Sequence, residues 1–155
     1  MPVLKLSIWI DLPIDECFDL ARDISLHPKS VPHTKERAIG GVTEGLIEAG
    51  ESVTWEAVHL GVKQRLTARI QSMDRPYQFI DVMGKGAFSS LTHVHLFAEE
   101  RGGTRMTDIL QFEAPLGLLG RLANKLFLER HMRNFLKVRL ENLKQIGEEK
   151  PLTSY

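Results

Sequence analysis

The sequence is short of cysteine, of excess charge and of long apolar runs, and each shortage removes a class of protein. Cys17 is the only cysteine among 155 residues, so no internal disulfide can form and redox chemistry specifies no compartment. Its setting between Ile14, Phe18 and Ala21 is that of a small buried helix residue, a core thiol. Lys plus Arg and Asp plus Glu both count 20, and the formal net charge is zero. No global field therefore favours nucleic acid or an acidic partner, and near-neutral charge permits self-association, as in a homodimer. Nowhere do about 18 apolar residues follow one another, so no segment is expected to insert stably across a bilayer. The opening Met1 to Asp11 lacks the basic region, apolar run and small-residue cleavage site of a secretory leader. A cytoplasmic location is the resulting expectation. No period of about 20–50 residues recurs and no low-complexity linker divides the chain.

What remains is an ordinary globular balance, with 43% hydrophobic and 26% charged residues, enough to exclude disorder. The length suits one domain with a sizeable core. One domain over residues 1–147 is expected, followed by a tail at 148–155, where Pro151 follows a charged run.

Periodicity then sets the elements. From Val3 to Asp11, Leu4, Leu6, Ile8 and Ile10 share one face and Lys5, Ser7 and Asp11 the other, which predicts a half-buried strand with Trp9 exposed or at a contact. Pro13 fits the start of a helix, with Asp15 and Glu16 where the helix dipole favours acids. His27-Pro28 and Val31-Pro32 end it and leave room for a second short helix. Strands are predicted at Lys35–Gly40, Glu51–His59, Val62–Met73, Gln78–Met83, Phe88–Glu99 and Thr104–Glu113. Short turn signals such as Leu60-Gly61, Gly84-Lys85-Gly86 and Gly102-Gly103 separate them. Strands so linked must be antiparallel neighbours. From Leu118 to Ile146 leucines recur at helical spacing, which predicts one long helix of roughly 40 Å. The fold class is therefore α+β: a seven-stranded antiparallel sheet curved around a long C-terminal helix, with two short helices after the first strand. One helix cannot fill so wide a concavity, and the remaining gap is a natural pocket for a small molecule.

This order of elements, with Pro13 leading the first helix and His27-Pro28 after it, resembles the START/polyketide-cyclase (SRPBCC) superfamily. Matching stretches are Trp55-Glu56-Ala57, Pro76-Tyr77-Gln78-Phe79-Ile80-Asp81, Gly86-Ala87-Phe88, His93-Val94-His95-Leu96-Phe97, Met106-Thr107-Asp108 and Pro115-Leu116-Gly117. The resemblance covers residues 3–147 and is nearest to a bacterial ligand-binding branch. It implies the helix-grip fold shared with the birch pollen allergen. The superfamily it points to includes lipid carriers, hormone receptors, aromatase/cyclases and oxygenase subunits, so the fold leaves the activity open.

Strand alternation selects the side chains that face the pocket. The expected ligand-binding set is Trp55, His59, Gln64, Leu66, Phe79, Asp81, His93, His95, Phe97, Asp108 and Phe112 from the sheet, with Leu122, Leu126 and Met132 from the helix. The inward face of Phe88–Glu99 is open, because Phe88, Val94 and Leu96 argue for the opposite side and a one-residue bulge would reverse it. Asp81, His93 and Asp108 are the candidates for catalysis, since a carboxylate beside an imidazole raises its basicity for proton transfer. The reading preferred for the same trio is a structural network in which buried polar groups satisfy one another. His93 and His95 stand two apart and can point at one ion with His59 or Asp108 as third ligand, but no cysteine or carboxylate motif supports them, and neither metal nor other cofactor is expected. No Gly-x-Ser-x-Gly elbow accompanies Ser89-Ser90, and no helix follows the glycines at 84 and 86 to make a phosphate loop. The basic residues of the long helix, Arg121 to Lys144, read as a solvated face. The leading function is a carrier or sensor of a hydrophobic small molecule, such as a lipid, an isoprenoid or a polyketide. The alternatives are a cyclase/dehydratase-type enzyme using the His–Asp cluster, or an accessory factor resembling the G-type subunit of carbon monoxide dehydrogenase.

Overall fold

The structure, a computed structural model, describes residues 3–59, 61–85, 90–113 and 121–149, the side chains of 59, 84, 85 and 121–125 excepted. Its elements follow in the order β1 (Val3–Ile10), α1 (Ile14–Arg22), α2 (His27–Ser30), a 3-10 turn (Pro32–Thr34), β2 (Arg37–Gly41), β3 (Ser52–His59), β4 (Val62–Asp74), β5 (Gln78–Lys85), β6 (Ser90–Glu100), β7 (Gly103–Glu113) and α3 (Arg121–Glu148). The seven strands form one sheet in the order β1-β7-β6-β5-β4-β3-β2, every neighbouring pair antiparallel. Strand boundaries move by one or two residues from those expected. The helix extends past Ile146 to Glu148, so the proposed tail loses its first residue, and residues 118–120 and 150–155 lie outside the described part. Glu148 is held because its Oε2 accepts from the Asp11 backbone and from Lys144 Nζ.

Local chemistry explains the corners. The β6–β7 turn is the two-residue pair Arg101-Gly102 between Glu100 and Gly103, both with positive φ (49° and 77°), the geometry whose twist matches the flanking strands. The β4–β5 ladder shifts register between Thr67 and Ala68 and between Ile70 and Ser72, and β2–β3 shifts between Ala38 and Gly40. Such bulges bend and twist the sheet. The bulge that would have reversed β6 is absent from its described ladders: β6 pairs with β5 and with β7 without a slip. Leu91, His95 and Phe97 are accordingly buried on the inward face.

Two apolar clusters fill the concavity. Ile10, Cys17, Phe18, Ile47, Phe97 and Met106 meet Leu140 and Leu143 of α3. Leu4, Leu91, Leu110 and Phe112 meet Met132 and Leu136. Leu6 and Leu66 touch both. The helix thus lies along the inner face with one stripe buried. Its C-terminal turn also guards the sheet edge, since Lys144 Nζ donates to the Trp9 carbonyl (2.7 Å) and stands 5.2 Å from the Trp9 ring. No described helix is long and apolar enough to cross a membrane.

Candidate functional site

Where the two clusters part, a partly open cavity of about 150 Å³ remains between the sheet and α3. Its wall is apolar over most of its extent: Ile47, Val53, Trp55, Ala57, Leu66, Ala68, Ile70, Phe79, Leu91, Leu110, Met132, Phe135 and Leu136 line it. Of the side chains expected to face a ligand, Trp55, Gln64, Leu66, Phe79, Asp81, His93, His95 and Met132 are on this wall. Phe97, Asp108 and Phe112 are not among the lining residues: Phe97 is packed against the edge of Phe18 (5.2 Å between centroids), Phe112 belongs to the second core cluster, and Asp108 lies behind the histidines with no exposed surface. Leu126 is corrected outright, being 58% exposed. It precedes Met132 by six residues, about 120° around the helix from the buried stripe. The side chains of His59 and Leu122 lie outside the described residues.

The polar part of the wall is one connected cluster, built by register. On β6, His93 faces Asp81 of β5, and His95 faces Asp108 of β7. His95 Nε2 is 2.7 Å from Asp81 Oδ2, and its Nδ1 is 3.3 Å from Asp108 Oδ1, an ion-pair distance without hydrogen-bond alignment. The fifth member comes from α3: Arg139 Nη1 donates to Asp108 Oδ2 (2.6 Å), and Nη2 to the Ala21 carbonyl (3.4 Å). His93 Nε2 sits 3.6 Å from Asp108 Oδ2. The rings of His93 and His95 stack at 3.8 Å, and Phe79 covers the other side of His95 at 4.1 Å.

Alternation alone places His93 between the two aspartates; the structure gives that position to His95, because its two ring edges reach a carboxylate on either neighbouring strand. Sequence reasoning missed Arg139 altogether. The available signal was its place on the helix, seven residues after Met132 and three after Leu136, on the apolar stripe rather than the solvated face.

Electrostatics assign the protonation states. Burial pushes the Asp108 carboxyl up, but the Arg139 charge and the adjacent histidines outweigh it and hold the group well below the usual carboxylate range. Burial likewise opposes ionisation of Asp81, and the His95 contact overcomes it, leaving that carboxyl lowered as well. For His95, burial disfavours the cation, yet Asp108 and Asp81 raise its pKa above the ordinary value. Burial and the neighbouring His95 charge lower that of His93. These shifts favour the ionised forms of Asp108, Asp81 and His95 and the neutral form of His93.

Donor atoms of Asp81, His93 and His95 all fall within 4.8 Å of one another, close enough to surround an ion. A metal there would need the ring nitrogens that face it to be deprotonated, against the pull of Asp108 and Asp81, which raise the pKa of His95. A second polar pair lies elsewhere on the wall, where His27 Nε2 contacts Glu36 Oε1 (3.1 Å) and the His27 ring packs on Trp55 (4.6 Å). Arg22 also reaches the cavity, its guanidinium bound to Asp19 (2.8 Å) and Glu48 (2.5 Å). The sequence held no periodic signal for these three, which come from helices and loops rather than alternating strands.

The sheet wrapped on one long helix, with short helices closing its end, is the helix-grip fold of the START/SRPBCC proteins. Solved structures of the same fold include the protein TTHA0849 of Thermus thermophilus, with 20% identity over 95% of this chain and 97% of that one and a TM-score of 0.79. A START superfamily protein from Mycobacterium smegmatis is 15% identical over 91% and 98% of the two chains, with a TM-score of 0.65. Major latex-like protein 151 from Panax ginseng is 14% identical over 94% and 97%, with a TM-score of 0.67. No protein-family model and no curated protein matches the sequence. At these identities the likeness speaks for the fold alone.

Proposed function

We propose that the protein binds a hydrophobic small molecule in this cavity, as a carrier or sensor. The observation that supports it is the apolar cavity itself, whose wall includes Trp55, Ala57, Leu66, Ala68 and Ile70. An enclosed apolar space of about 150 Å³ takes a molecule of the size of benzene. The enclosed part therefore suits one ring or a branched isoprenoid unit, and a longer lipid or polyketide chain extends through the opening. Catalysis of the cyclase/dehydratase kind has less support. An efficient general base needs a pKa near the working pH, while Asp81 and His93 are both shifted down.

Protein purified without denaturation should release an unmodified apolar compound detectable by mass spectrometry. Titration with p-xylene should change tryptophan fluorescence saturably, and Trp55→Phe should remove the change, Trp9 being outside the cavity. Narrowing the space with Ala57→Leu should weaken binding while the near-ultraviolet dichroism stays native. No released compound and no saturable change would reject the reading.

A further inference from the structure

Resting on that reading, we propose that the cavity selects an apolar molecule bearing a neutral hydroxyl, an alcohol or phenol, over carboxylates and ammonium compounds. The polar atoms left open on the wall decide this. Asp81 spends Oδ2 on His95; no described residue bonds its Oδ1, and the side chain is 17% exposed on the cavity wall. His93 is 12% exposed, and its Nε2 is shut in against Asp108. A lone pair on Nε2 would face a carboxylate, so the single proton of the neutral ring belongs there, and Nδ1, also without a described partner, is left as an acceptor. The wall thus offers two acceptors, and the ligand must bring the donor.

Charge excludes the other donors and all anions. A carboxylate would look for a cation, but the three on the wall are taken: Arg139 by Asp108, His95 by Asp81 and Asp108, and Arg22 by Asp19 and Glu48. An ammonium at Asp81 would lose its hydration and would have to share that carboxylate with His95, which already contacts it at 2.7 Å. A hydroxyl donates to Asp81 or His93 and loses little hydration. The lowered pKa of Asp81 supports the ionised acceptor.

Four probes sharing one ring test the idea by calorimetry at pH 7: p-cresol, p-xylene, p-toluate and 4-methylbenzylamine. We expect p-cresol to bind about tenfold tighter than p-xylene, the worth of one hydrogen bond to a charged acceptor, and the two ions to bind more weakly than p-xylene. In Asp81→Asn the ratio of p-cresol to p-xylene affinity should fall to within about threefold, since a neutral acceptor bonds roughly half as strongly. Equal affinities for p-cresol and p-xylene, or tighter binding of either ion, overturn the inference and leave the cavity reading standing. Binding of none of the four overturns both. Should Asp81→Asn fail to fold, the ranking by the natural protein still decides.

Discussion

His95 and His93 stand two residues apart with stacked rings, yet their surroundings drive them in opposite directions. One is flanked by two carboxylates, and the other is buried with a cation beside it. In a proton NMR titration His95 should lose its proton above about pH 6.5 and His93 below it; as coupled groups they are assigned by comparing single variants. A His95 that titrates below His93 would contradict this pattern of charges. The same shifts carry a signed consequence for stability. The raised pKa of His95 contributes stability that is complete below its unfolded pKa and fades as pH rises through the folded value. The lowered pKa of His93 acts the other way, with stability complete above its unfolded pKa and lost as pH falls toward the folded value. Replacing His95 by Gln should therefore flatten the decline on the alkaline side in urea unfolding, and His93→Gln the decline on the acid side. Asp108→Asn leaves the Arg139 guanidinium buried without its counter-charge, and about 3–5 kcal/mol of stability should be lost, read as a lower urea midpoint. Strand alternation is a strict rule, which is why Asp81, His93, His95 and Asp108 stand out from their positions along the strands alone. Their pairing does not, since it depends on which ring edge each partner strand offers. Arg139 was hidden by a habit of helices, whose arginines mostly snorkel to water.

Helix α3 is helical through every described residue of the predicted span and continues to Glu148, but Leu126 is not on its buried face. Its buried stripe of Met132, Leu136, Leu140 and Leu143 was legible as leucine spacing, and across the slip Leu128 packs on the core while Leu126 is exposed. Leu136 is 1% exposed, and Leu136→Ala should cost about 2–5 kcal/mol. Leu126→Ala should stay within about 0.5 kcal/mol. Similar losses at the two sites in chemical denaturation would refute the assigned face. The strands were readable because hairpins require antiparallel neighbours and turn residues mark their ends; the bulges were not, since a register shift follows from both strands together. Gly41 illustrates the cost of one. Its φ is +68°, and an added Cβ would lie 2.2 Å from the Ser52 carbonyl oxygen. Gly41→Ala should destabilise by at least about 1–3 kcal/mol, with the loss appearing in the urea midpoint.

For the molecule as a whole, the cavity is a place where packing was left incomplete, and a bound ligand repairs it. Binding to the native state alone stabilises by mass action, by about 2.7 kcal/mol at a hundredfold excess over Kd. The thermal midpoint should then climb with p-cresol concentration and keep climbing past the point of saturation. A final consequence lies in the strand order. The first of the seven strands to be synthesised, β1, has β7 as its sole ladder partner, with Val3 opposite Gln111 and Ile10 opposite Thr104. At ribosomal elongation rates of about 5–20 residues per second, β1 waits on the order of ten seconds before its partner exists. Throughout that interval Leu4, Leu6, Ile8 and Ile10 are a sticky nascent strand, and the chain's yield in a cell depends on what shelters it.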